Sequence, residues 1–114
     1  MFFNRRKKWN GEVAALLPTF DLTIEVVGPM AALEALDLVY PKGFSAQEGA
    51  LYLAYLSYST FLKERDARAT NLKARIRFAE EDWIEAGRVN PKNVQAWREK
   101  AKTWEDAAVC DKSD

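Results

Sequence analysis

Apolar residues recur along the middle of this chain in alternating steps of four and three. The positions are Leu51, Tyr55, Tyr58, Leu62, Arg65, Ala69, Leu72, Ile76, Ala79, Trp83 and Ala86, and Arg65 is the single polar member. Neither Gly nor Pro falls within 51–86. This spacing places the series on one helical face and predicts one long helix, or two nearly collinear ones, over 46–86. Any break is expected near 67–71. Ser45-Ala46-Gln47-Glu48 supplies a capping box at its start, and Gly87 a left-handed cap at its end.

The first half of this helix is apolar on several sides. Ala46, Ala50, Ala54 and Ser57 form a small-residue stripe, with Leu51, Tyr55, Tyr58 and Leu62 on an adjacent face and Tyr52 and Leu56 on a third. A helix apolar all round is central and buried. Upstream, 12–17 reads as a short helical turn stopped by Pro18. Residues 20–27 alternate in strand fashion but also fit a helical face through Leu17, Phe20, Ile24 and Val27. A lone strand has no mate in this chain, so helix is favoured, with pairing across a dimer as the exception. Pro29 opens a helix to about Tyr40, with Leu33, Leu36 and Tyr40 as its face. Asn90-Pro91 opens the last helix, striped by Val94, Trp97, Ala101, Trp104 and Ala108. It is expected to fold back as an antiparallel hairpin, bringing Trp97 near Trp83 or Ile84.

The segment from Trp83 to Trp104 locally resembles a tetratricopeptide repeat boundary. Ala79, Trp83 and Ala86 carry its small-aromatic-small spacing, followed by Pro91, Trp97 and Trp104. The resemblance covers roughly a quarter of the chain and implies an adaptor built on helical hairpins. The turn between the paired helices would then fall near Ala74-Arg75, inside a strong helical pattern. A 34-residue self-similarity is absent.

Charge separates the ends of the chain. Arg5, Arg6, Lys7 and Lys8 sit among Phe2, Phe3 and Trp9, and without those four basic residues the chain holds 13 basic against 17 acidic, a net of −4. This basic-aromatic tip, 1–10, reads most plainly as a disordered solubilising segment with Trp9 packed on the body. Arg5, Arg6, Lys7, Lys8 and Trp9 are also candidates for contact with an anionic membrane surface or with nucleic-acid phosphates. Further along, Lys63, Arg65, Arg68, Lys73, Arg75 and Arg77 precede Glu80, Glu81, Asp82 and Glu85. An antiparallel copy would complement these blocks, while local pairs such as Arg77–Glu81 are the simpler use.

The chemistry available is narrow. The 114 residues fit one domain, taken as 11–109 between the tip and a frayed polar tail at 110–114. Histidine is absent, and Cys110 is the one cysteine. There is no phosphate loop, dinucleotide fingerprint or Cys/His cluster, so no catalytic, metal or cofactor residue is assigned. Glu80 to Glu85 is placed on the polar side of its helix. A lone cysteine suits a reducing, cytoplasmic setting. The expectation is an all-α bundle around one long central helix, acting as a non-enzymatic interaction module. A homo-oligomer is the expected assembly, a dimer first. Its candidate interface is Ala50, Tyr52, Ala54, Tyr55, Tyr58 and Leu62. The second reading is a peripheral membrane or nucleic-acid accessory factor using the basic tip.

Overall fold

The computed structural model describes residues 2–112, and side chains over 7–109. Six α-helices are described: α1 (Phe2–Leu16), α2 (Ile24–Val27), α3 (Pro29–Val39), α4 (Ala46–Lys63), α5 (Arg68–Glu85) and α6 (Pro91–Lys112). Short 3-10 turns at Leu17–Phe20 and Tyr40–Lys42 extend α1 and α3. The fold is all-α, with no strand among the described residues. Residues 20–27 resolve into the end of a 3-10 turn, a bend and α2, whose Thr23 side chain caps Val26 N–H at 3.1 Å.

The central helix starts at the capping box. The Ser45 hydroxyl accepts from Glu48 N–H at 3.1 Å, and the Glu48 carboxylate accepts from Ser45 N–H at 2.9 Å. It does not run on to Ala86. It stops at Lys63, and the chain reverses over residues 64–67 so that α5 packs back against α4. The break, over 64–67, begins three residues before the expected 67–71 and reaches its first residue, and the two helices are antiparallel rather than collinear. A pair of backbone bonds closes the turn. Asp66 N–H reaches the Phe61 carbonyl at 2.8 Å, and Arg65 N–H reaches that of Leu62 at 3.1 Å. This is a Schellman cap, and its left-handed residue is Arg65, at φ +56°. The apolar rhythm survives the turn because both helices direct their stripes at one core.

The same cap ends two other elements. Arg88 N–H bonds the Trp83 carbonyl and Gly87 N–H that of Ile84, with Gly87 at φ +73°. Leu22 N–H bonds Leu17 and Asp21 N–H bonds Pro18, with Asp21 at φ +57°. Asn90 then starts α6, its side chain accepting from Lys92 N–H at 2.9 Å.

The helix α4 is the centre of the molecule. It packs against α1, α2, α3, α5 and α6, and Leu51, Leu53, Ala50 and Ala54 are fully buried. Helix α6 runs antiparallel to α5, as Lys73–Glu105 and Glu80–Arg98 pairs show. Its apolar face, however, meets α4. Trp97 lies 6.2, 6.5 and 5.9 Å from the rings of Phe44, Tyr52 and Tyr55. It does not pair with Trp83, which takes Phe20 edge-on at 5.7 Å. Helix α1 is longer than the turn expected at 12–17. Trp9, Val13 and Leu17 form its buried stripe, and Gly11 is tolerated on the exposed side. The tail at 110–114 continues α6 to Lys112; side chains there lie outside the described residues.

Candidate functional site

The interior between α4, α5 and α6 is polar at two levels. At the first, Glu80 has no exposed surface. Its carboxylate accepts from the Tyr55 hydroxyl on α4 and from Arg98 on α6, at 3.0 Å to Nε and 2.8 Å to Nη2. Glu80 therefore points inward, not to the polar side of its helix as the local sequence suggested. At the second level, about one turn along α4 and two along α5 and α6, Glu105 accepts from the Tyr58 hydroxyl and pairs with Lys73 at 2.7 Å.

Both levels shift proton affinities. Burial, then the bond to Glu80 and its charge, holds the Tyr55 hydroxyl well above the ordinary tyrosine range. Burial and Glu105 do the same to Tyr58. Burial alone would raise the Glu105 carboxyl, but the bonds from Lys73 and Tyr58 hold it below its usual value. For Arg98 burial acts downward, and Glu80 outweighs it. The tyrosines stay protonated donors and Glu105 stays an acceptor. Such a set fixes helix register.

A third polar cluster joins the start of α4 to the α5–α6 turn. The second carboxylate oxygen of Glu48 accepts from Asn90 N–H at 3.2 Å and from the Asn93 amide at 2.5 Å. The Ser45 hydroxyl donates to the Arg88 carbonyl at 2.7 Å. One carboxylate thus caps its own helix and holds the next turn.

Two surface features remain. A groove of about 380 Å³ lies at the α4–α5 turn, with Phe61, Leu62, Lys63, Arg65 and Trp104 in its lining. The other is the outer side of α2 and α3. Val26, Met30, Leu33 and Leu38 are 42, 72, 51 and 52% exposed, among exposed Glu25 and Glu34. Leu33 does not take the buried place that periodicity predicts for it on α3. The structure buries Ala32, Ala35, Leu36 and Val39 instead, and Met30, Leu33 and Leu38 face outward. Glu34 and Asp37 lie on the outward side of α3 among these exposed apolar residues.

The expected interface residues are accounted for within the chain. Ala50, Ala54, Tyr55 and Tyr58 are buried by its own helices, and Tyr52 and Leu62 are half-buried. In the basic tip, Lys7 and Lys8 are exposed and the side chains of Arg5 and Arg6 lie outside the described residues. Trp9 is buried; its indole N–H donates to the Phe44 carbonyl at 2.9 Å, and its ring meets Tyr40 at 5.5 Å. Of the charge blocks, Arg68 pairs with Asp66 at 2.7 Å, while Lys73 and Glu80 are engaged with α6. Glu81 and Glu85, the carboxylates one turn apart, are both exposed.

No group of three or more potential metal ligands gathers among the described residues. None of the described helices is long and apolar enough to cross a membrane. The turn that the repeat resemblance would put near Ala74-Arg75 lies at 64–67, and both positions are inside α5. Comparisons with protein-family models, curated proteins and solved structures found no match for this chain.

Proposed function

We propose that this chain is a non-enzymatic helical interaction module that associates with itself, working in a reducing, cytoplasmic setting. The observation that carries the reading is the outer side of α2 and α3. Met30, Leu33 and Leu38 remain exposed on a helix whose other side is fully used in the core. A cluster of exposed large apolar side chains marks surface that protein contacts bury. The interior polar pairs fit the same reading, since they make a rigid support.

The test is light scattering on size-separated protein at high micromolar concentration, with Met30→Ser/Leu33→Ser alongside. A mass of twice 13.0 kDa for the parent, lowered in the variant, supports the proposal. A parent that stays at 13.0 kDa removes the self-association. Salt titrations against anionic vesicles and DNA separate this reading from one in which the basic tip contacts phosphate groups.

A further inference from the structure

Four of the six large apolar side chains exposed among the described residues, Val26, Met30, Leu33 and Leu38, lie within thirteen positions of one another. The surrounding sequence carries one sign of charge. Residues 11–41 contain five acidic residues and neither Lys nor Arg, whereas residues 1–10 contain four basic residues and no acidic one. Two copies of the α3 face laid on each other would bring carboxylates together, which disfavours a self-matched contact. The face asks for a basic, apolar helix. Two segments carry a basic block: 63–77, where Arg68 and Lys73 are already paired with Asp66 and Glu105 of the same chain, and the first half of α1, where Lys7 and Lys8 are exposed and Phe2 and Phe3 precede them in sequence; the second is the one proposed as occupant.

We propose that the acidic, apolar outer side of α2–α3 in one copy receives the basic first half of α1 from a second copy, in a reciprocal pair of contacts. This rests on the self-association reading above and names its surface. A two-fold pair uses each element once per copy, so both contacts form together and the assembly closes. Charge contributes orientation and association rate, and Met30 and Leu33 contribute buried area.

The reciprocal geometry gives a direct test. In Glu25→Lys/Glu34→Lys the two exposed carboxylates of the receiving face become ammonium groups; in Lys7→Glu/Lys8→Glu the two exposed ammonium groups of the tip become carboxylates, and its net charge falls from +4 to 0. Each variant alone meets like charge at both contacts and should dimerise about tenfold or more weakly than the parent. Mixed one to one, the two should form a heterodimer with both contacts complementary and regain parental mass by light scattering. All four positions are exposed, and circular dichroism of each variant checks the fold. A measurement on the parent protein stands beside this. Zero-length carbodiimide cross-linking of mixed ¹⁴N and ¹⁵N copies should join Lys7 or Lys8 to Glu25 or Glu34 across isotope labels. If the parent is a dimer but the variants dimerise unchanged, the mixture gains nothing, or the cross-links stay within one label, this contact is overturned while self-association stands. A monomeric parent overturns both.

Discussion

The Trp9 ring lies against Gly49, the one glycine inside α4. A Cβ built on Gly49 would come within 2.7 Å of Trp9 Cη2 and 3.0 Å of Val13 Cγ2. Here glycine is needed for space, since the position is ordinary helix. Gly49→Ala should therefore destabilise the protein by about 1–3 kcal/mol through overpacking, despite the better helix propensity of alanine. Denaturant melts would read this. Combining it with Trp9→Leu should recover part of the loss, and strict additivity of the two would rule out the contact as the cause.

The Glu80–Arg98 pair should be asymmetric. Glu80 is wholly buried, whereas the Arg98 side chain keeps 32% of its surface exposed. Arg98→Met strands a carboxylate with only Tyr55 as partner and should cost about 3 kcal/mol. Glu80→Gln leaves an arginine that can turn toward water and should cost less. The reverse order in urea midpoints would show that the carboxylate finds solvent.

Stability should fall on the alkaline side. The folded state raises the proton affinity of Tyr55 and Tyr58 above the ordinary value of 10.0. Their contribution is complete below that value and is lost as pH rises above it, because the unfolded chain ionises first. Glu105 is shifted down, so its contribution holds above the usual carboxylate range and is lost as pH falls through it. Urea midpoints between pH 7 and about 11 should drop for the parent. They should drop less for Tyr58→Phe.

The left-handed caps should respond with opposite signs. Gly87→Ala places a Cβ at φ +73° and should cost about 1 kcal/mol. Arg65→Gly removes a Cβ from φ +56° and should raise thermal stability by up to about 1 kcal/mol. A lower melting temperature for Arg65→Gly would mean that the arginine side chain contributes more than its backbone costs.

One helix supplies its own control for the outer surface. Leu36 is buried and Leu33 is half-exposed on the same α3. Leu36→Ala should cost about 2–5 kcal/mol. Leu33→Ser should stay near 0.5 kcal/mol in dilute solution.

The boundaries with side-chain signals were readable from the chain. Ser45 with Glu48, Gly87, and Asn90 with Pro91 each sit where the helix ends are found. The turn at 64–67 was not, because its left-handed residue is an arginine and both flanking helices continue one apolar rhythm. Its trace in the sequence was the lone polar residue on the stripe, Arg65. Glu80 was hidden by its acidic neighbours Glu81 and Asp82, since nothing local distinguishes a carboxylate that will meet Tyr55 and Arg98 from one that meets water. The small-residue stripe of α4 was read correctly as a surface for close approach, but the approaching partners are helices of the same chain. The outer side of α3 is set by which apolar face wins the core, and that depends on α4.

Helix α4 contacts every other helix, whereas α3 packs mainly on α2 and α4. The molecule therefore has a natural order of opening. A fluctuation that lifts α2 and α3 leaves the α4–α5–α6 unit closed, while any opening of α4 dismantles everything at once. Backbone amides of α4 should exchange with solvent only through global unfolding, and those of α3 well before them. A segment that loosens separately can adapt to what lands on it without loss of the frame beneath.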